Sequence, residues 1–259
     1  MLGALTPLLP ANITAYCEPF VGGGALLFCL QPKTAFVNDI NGELISVYRV
    51  IRDDVERLIA RLREFRNDAR CFYEVRGWDR DAAGYALRSD VERAVRVLYL
   101  NKTCYNGLFR VNASGEFNSP FGSYRNPNIV NAEALRAVSV YLNTASVSLT
   151  SLDYAEVLET LPSDTFVYLD PPYDPVSPTS NFTGYSRGGF SRADQLRLRE
   201  CCDRLNERGL RFMLSNSATD FVKELYAGYN VTVVKARRAV NSDGAGRSGL
   251  DEVVVRNYC

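Results

Sequence analysis

Residues Val167-Tyr168-Leu169-Asp170-Pro171-Pro172-Tyr173 set an apolar, β-prone run directly against two prolines. Each proline fixes φ and lacks an N–H, so the strand that this run forms must stop there. Asp170 and the carbonyls beside it are then held rigidly at the end of a buried strand, with the Tyr173 ring close by. That arrangement suits a planar substrate carrying an amino group. The ring stacks on Tyr173, while Asp170 and a backbone carbonyl such as that of Pro171 accept the amino hydrogens. Acceptors aimed at an amine favour the charge that develops when its nitrogen attacks an electrophile. An ordinary strand ending in a Pro-Pro turn looks the same locally, so a second motif has to separate the two readings.

That motif is Glu18-Pro19-Phe20-Val21-Gly22-Gly23-Gly24-Ala25. Ala15-Tyr16-Cys17 reads as a short strand and Ala25–Leu30 as a helix start. The glycines between them form a tight turn that lets a ligand approach the backbone. Leu27 occupies the place of the third glycine of a dinucleotide fingerprint, so this is not that fingerprint. A second strand, Thr34–Val37, ends at Asn38-Asp39. An acid at that point of an open α/β sheet is where a ribose diol is held. The pattern implies adenosine, without a phosphate-binding loop.

Together, Glu18–Ala25, Asn38-Asp39 and Asp170–Tyr173 resemble the S-adenosylmethionine-dependent DNA adenine methyltransferases of the Dam/DpnII type. The resemblance continues through Tyr99–Asn112, Gly115–Gly122, Met213–Ser217 and Asn241–Arg247, in the family's order, and covers nearly the whole chain from Tyr16. It implies a doubly wound α/β fold with a mixed seven-stranded methyltransferase sheet and an inserted, mostly helical DNA-recognition domain. The activity implied is methyl transfer from S-adenosylmethionine to the exocyclic amine of adenine in duplex DNA, after the base is flipped out. Asp170, Pro171 and Tyr173 are then the catalytic set. Glu18, Pro19, Phe20, Gly22, Gly24, Asp39, Asp153 and Asp170 are the cofactor set.

Spacing supports an insertion. The runs Val147–Leu152 and Phe166–Leu169 follow Asp39 by more than a hundred residues, where a doubly wound sheet needs only a few tens. Between them, Gly42–Phe65 has helical periodicity and Asp90–Leu100 reads as a second helix. Residues 101–130, rich in Asn, Gly, Ser and aromatics, read as hairpin and loop. We divide the chain into residues 1–57 and 146–259 for catalysis and 58–145 for target recognition. After Asp170 the spacing predicts helix Arg192–Arg208, strand Arg211–Leu214, helix Thr219–Ala227, and strands Asn230–Lys235 and Glu252–Asn257.

In the insert, Lys102, Arg110 and Arg125 supply positive charge. Asn106 and Asn112 can pair bidentately with adenine edges, as arginine can with guanine. Tyr105 and Leu108 are candidate wedges for the gap left by an extruded base. A polar surface hairpin with aromatics packed beneath it is the plainer alternative. The resemblance implies that Tyr105, Asn106, Leu108, Arg110 and Pro120 contact or penetrate a GATC duplex, and Tyr124 and Arg125 are added to this set. The family often has Arg after its Phe-Gly pair, where this chain has Ser123 and then Tyr124-Arg125, which leaves relaxed specificity open.

Composition narrows the field further. The chain has 259 residues, zero net charge and no histidine. Ser-His-Asp, Cys-His and His-metal mechanisms are thereby excluded, and any DNA surface must be a local basic patch. We expect no metal. Seven cysteines without a Cys-x-x-Cys pair read as reduced thiols, which fits a cytoplasmic protein, and no stretch is apolar enough for a membrane. A cognate restriction endonuclease is a partner in function, not in a stable complex.

The family's amino-terminal Trp-Ala-Gly-Gly-Lys-like segment has no counterpart in Met1–Pro10. Either the start is truncated or mis-called, or this copy binds its cofactor weakly, since loss of the lysine contact to the cofactor carboxylate would cost about 1.5–3 kcal/mol, or about one to two decades in affinity. Two alternatives therefore stay open. One is a cofactor-impaired or silent DNA-binding relative. The other is a methyltransferase acting on another planar amine, cytosine or a protein glutamine, although those relatives usually carry Ser or Asn in place of Asp170.

Overall fold

The computed structural model describes residues 2–112, 114–176, 189–235 and 251–259. The matching run Asn241–Arg247 lies outside the described residues. The helices are α1 (Leu2–Leu5), α2 (Ala25–Leu30), α3 (Gly42–Asp53), α4 (Val55–Leu62), α5 (Ala69–Arg76), α6 (Ala82–Ala86), α7 (Asp90–Thr103), α8 (Ala132–Thr144), α9 (Tyr154–Glu159), α10 (Arg192–Glu207) and α11 (Asp220–Leu225). The strands are β1 (Ala15–Glu18), β2 (Thr34–Asn38), β3 (Ser146–Thr150), β4 (Thr165–Leu169), β5 (Phe212–Ser217), β6 (Asn230–Lys235) and β7 (Asp251–Arg256). They form one seven-stranded mixed sheet in the order β3-β2-β1-β4-β5-β7-β6. The expected fold class is therefore present.

β1 pairs in parallel with β2 and β4, and β4 with β5, while β7 runs antiparallel to both β5 and β6. Cys17 lies opposite Phe36 on one side and Val167 on the other. β4 and β5 are buried at every position, as continuous apolar or small-residue runs in the middle of a sheet should be. Chain order reverses between β1 and β4, so their carboxyl ends flank the topological switch point where open α/β sheets hold ligands. Beneath it, Val167, Leu169, Leu198, Cys202, Phe212 and Leu214 pack into a continuous core. No helix among the described residues is long and apolar enough to cross a membrane.

The chain forms two compact units, one spanning Asn41–Ser151 and the other made of the flanking chain on either side. In the first, α3 and α4 pack with α7 and α8. Among its described residues the one deeply buried charge is Arg96, which donates to the Val75 and Arg76 carbonyls and pairs with Asp79 and, at 3.8 Å, with Glu43. The single helix expected over Gly42–Phe65 is broken. Asp54 leaves helical geometry at φ −147° and ψ 46°, ending α3 and starting α4. Periodicity missed the break because the buried faces of both helices stay nearly in register across it. The third strand also ends early, at Thr150. Leu152 instead exchanges hydrogen bonds with the Asn38 side chain, and Asp153 caps α9 through the Ala155 N–H at 2.9 Å.

Candidate active site and recognition hairpin

At the end of β1 the backbone turns through Gly22 (φ 47°) and Gly24 (φ 63°), left-handed conformations that favour glycine. Gly24 N–H donates to Val21 O at 2.7 Å, and Gly22 N–H donates to Asp39 Oδ2 at 3.0 Å. A Cβ built on Gly22 or Gly23 would meet nothing within 4 Å, so this backbone faces open space. Asn38 staples the turn from below. Its amide donates to Pro19 O and Leu152 O, both at 3.1 Å, and its oxygen accepts from Leu152 N–H at 2.8 Å. Phe20 joins Tyr154 and Phe190 in a three-ring cluster with centroids 5.1–6.2 Å apart.

Glu18 is only 3 % exposed. It accepts from the Tyr16 hydroxyl at 2.7 Å and from Leu27 N–H. Burial, with the nearby charge of Asp170 adding to it, pushes its carboxyl up to about 8. Asp39 is buried at the end of β2. Asp170 follows the last residue of β4 and is exposed, beside buried Pro171. Tyr173 reaches Glu252 Oε2 with its hydroxyl at 3.4 Å, and burial, then the charges of Asp170 and Glu252, raise that phenol well above its ordinary range. Carboxylates thus stand at the ends of β1, β2 and β4 around an open glycine turn. Such a donor set fits a cationic adenosyl ligand. Asp153 belongs to the same unit, but its two oxygens receive Arg197 at 2.7 and 2.9 Å.

Several residues of this unit carry more than the sequence suggested. Gln195, Asn216, Asp174 and Glu252 are each buried to 3 % exposure or less. Asn216 stood only inside a run resembling the family, and the others carried no reading. The available signal was a polar side chain on an apolar stripe: Gln195 shares the buried face of α10 with Leu198, Cys202 and Leu205.

In the other unit, Lys102 lies in the last turn of α7, and Tyr105, Asn106 and Gly107 form one short 3₁₀ turn after it. Asn106 is left-handed at φ 54°, a conformation that Asn tolerates better than most side chains. The chain then runs out and back as a hairpin, bridged at Cys104–Phe121 and Val111–Phe117. Tyr105 N–H donates to Pro120 O at 2.9 Å, tying the turn to the return leg. A side chain on Gly122 would strike Cys104 O at 2.7 Å, so the legs meet there only through glycine.

Tyr105, Asn106, Arg110, Pro120, Tyr124 and Arg125 are exposed, and Leu108 is half-buried. Arg110 Nε donates to Asn118 Oδ1 at 2.8 Å. Asn112 is spent on the tip: its Oδ1 accepts from Ser114 and Glu116 N–H, and its amide donates to Glu116 Oε2 at 2.7 Å. Tyr124 O accepts from Asn67 at 2.6 Å. Beneath the hairpin, Asp79 accepts from Phe117 N–H at 2.8 Å, and Arg80 donates to Phe117 O at 2.6 Å.

Comparison with known proteins agrees with this architecture. The sequence profile of the D12 class N6 adenine-specific DNA methyltransferases matches residues 1–240. A type II methyltransferase of Lactococcus lactis subsp. cremoris is 41% identical over 253 residues, covering 97% of this chain and 89% of that protein. One from Methanocaldococcus jannaschii is 41% identical over 267 residues, covering 97% and 91%. The DNA adenine methylase of Escherichia coli is 34% identical over 245 residues, covering 92% and 84%.

Proposed function

This chain belongs to the D12 class of N6 adenine-specific DNA methyltransferases, and from that premise we propose that it methylates adenine in GATC duplex DNA, drawing the base out of the helix and using S-adenosylmethionine as donor. The observation that carries this reading is the set of carboxylates at the ends of β1, β2 and β4 around the open glycine turn. When bound, S-adenosylmethionine supplies an electrophilic methyl group on a sulfonium. Asp39 would hold the ribose diol, the Gly22–Gly24 backbone and Pro19 would line the adenosyl group, and Phe20 would pack against it. Glu18 would face the positive end. Asp153, already paired with Arg197, would act by fixing the start of α9.

Asp170 and the Pro171 carbonyl would accept the two amino hydrogens of the target adenine and orient its nitrogen lone pair for attack. Tyr173 stacks on the extruded base. The reading elements belong to residues 58–145. Arg110 and Asn106 take base edges, Tyr105 and Leu108 fill the vacated space, and Lys102, Tyr124, Arg125 and Pro120 lie along the backbone. Asn112 serves by shaping the hairpin tip. A cytoplasmic setting, and a restriction endonuclease working on the same site, fit such an enzyme.

Purified protein with labelled donor is tested on a GATC duplex, on duplexes with each base pair replaced in turn, and on one with purine in place of adenine. Label in GATC alone, absent from the purine duplex, is the expected result. Equal labelling of all adenine-containing duplexes would remove the GATC assignment, and label in cytosine would remove the choice of base.

A further inference from the structure

Two buried carboxamides hold the backbone on either side of Tyr173. Gln195, on the buried face of α10, donates through Nε2 to Pro172 O at 2.9 Å. Asn216, at the end of β5, accepts Asp174 N–H at 2.9 Å on its Oδ1. The two side chains meet each other, Asn216 Nδ2 donating to Gln195 Oε1 at 3.1 Å. Gln195 is 1 % exposed and Asn216 0 %. Pro172 O belongs to the peptide plane before Tyr173, and Asp174 N–H to the plane after it. Those two planes set φ and ψ of Tyr173, and hence the direction of its ring.

The polarity of the chain of bonds is dictated from one end. Asn216 Oδ1 also receives Ser217 N–H at 2.8 Å, and two backbone N–H groups can only donate. Its amide must therefore face Gln195, whose oxygen must face back, leaving Gln195 Nε2 no direction but Pro172 O. Asp174 is anchored independently by Thr219 Oγ1 at 2.8 Å and Arg192 Nε at 3.3 Å. A core position on an apolar helix stripe does not need a glutamine. It needs one only if the Pro172 carbonyl must be held.

We propose that Gln195 and Asn216 act as a positioning pair for methyl transfer, fixing the Tyr173 backbone so that its ring and the adjoining Asp170-Pro171 acceptors meet the target adenine together. This rests on the reading of Asp170 and Tyr173 as the site that receives the base. The pair touches neither base nor donor, so its loss acts on the transfer step and leaves ligand affinity alone.

The test uses the full chain, S-adenosylmethionine and a GATC duplex, and measures the single-turnover transfer rate, both dissociation constants and the melting temperature. Gln195→Glu keeps the size and the acceptor for Asn216 but turns an oxygen toward Pro172 O. Burial keeps that acid protonated toward neutral pH, so the variant's rate should fall by about 10- to 100-fold only as pH rises and it ionises, with both dissociation constants unchanged. Its rate relative to wild type should recover as pH falls, because a protonated glutamic acid donates again. A wild-type rate that persists through alkaline pH, or a loss that does not vary with pH, overturns the proposal.

Asn216→Asp keeps both backbone acceptor bonds and reverses the Gln195 amide, so it should lose rate while staying folded. It carries the test if Gln195→Glu does not fold, and an unchanged rate in it is equally fatal. Tyr173→Ala and Asp170→Ala run beside them. If these lose transfer while the carboxamide variants keep it, the pair alone fails; if these too keep it, the assignment of the site fails.

Discussion

Asp79 and Glu18 are carboxylates drawn out of bulk water, one in each unit, and they are balanced in opposite ways. Asp79 is met by the buried guanidinium of Arg96, by Arg80 and by Phe117 N–H. Its charge is matched within the fold. Glu18 has a phenol and a backbone N–H as hydrogen-bond partners, with a second carboxylate nearby, and it keeps its proton up to about pH 8. A protein that only needed a stable strand end would gain from a neutral residue there, since burying an uncompensated acid is costly. The contrast separates an acid whose charge the fold matches from one whose charge it does not. Under the proposed function, the sulfonium donor brings the missing positive charge.

The largest effect expected from this difference is at Asp170. If carboxylates at the strand ends serve the ligand, Asp170→Ala should lower the transfer rate by about a thousandfold, the scale set by removing one preorganised electrostatic group. The melting temperature should stay near wild type, because Asp170 is exposed. A large drop in stability with modest loss of rate would place Asp170 with Asp79 instead.

Asp79→Ala should show the reverse. It removes the nearer of two acids from Arg96, 3 % exposed, leaving Glu43 at 3.8 Å, so the loss should lie near the lower end of the range of about 3–5 kcal/mol that breaking a buried pair costs. Denaturant unfolding should record that loss, while cofactor affinity should hardly change. The Phe117 N–H also loses its acceptor, so discrimination among DNA sites should weaken along with stability. Equal stability in variant and wild type would show that the ion pair adds nothing to the fold.

The hairpin above Asp79 gives the third prediction. Arg110 is exposed and steered by Asn118 Oδ1 at 2.8 Å. If it reads a base edge, Arg110→Ala should cost about 1–3 kcal/mol on GATC and relax discrimination at one position. If it touches phosphate only, binding should weaken alike on all sequences and the salt slope should flatten. Binding to GATC and to each single-substituted site, at two salt concentrations, distinguishes the two.

How far the sequence could be read follows the same division. The strands that end in carboxylates were legible because each is a short apolar run closed by a feature of its own: Pro171 after β4, the glycines after β1, Asn38-Asp39 after β2. The helical unit was less so. The kink at Asp54 leaves the apolar spacing of Gly42–Phe65 almost undisturbed, and the spacing does not mark α8. The Asp79–Arg96 pair and the Gln195–Asn216 pair were invisible for a different reason. Their members lie 17 and 21 residues apart, beyond any local periodicity, and only the packed fold brings them together. Asn112 shows the converse: its residue type suits an adenine edge, and within the hairpin tip its Oδ1 and Nδ2 also make local hydrogen bonds that the sequence does not announce.

The smallest expected effect tests Glu18 directly, in the ligand-free protein. An ordinary glutamate loses its proton near 4.5, whereas Glu18 keeps it to about 8 in the fold. Between those values the folded state binds more protons than the unfolded one, so stability must fall as pH rises. Its contribution is fully present below about pH 4.5 and gone above about pH 8. Glu18→Gln preserves an acceptor for the Tyr16 hydroxyl and has no proton to lose. Its melting temperature should therefore gain on wild type steadily between about pH 5 and pH 8, and level off above. Donor binding should release protons in wild type over that window and none in the variant, which calorimetry in buffers of different ionisation enthalpy can count. A difference in melting temperature that stays flat with pH would mean that Glu18 is ionised throughout, and the contrast with Asp79 would then have to rest on geometry alone.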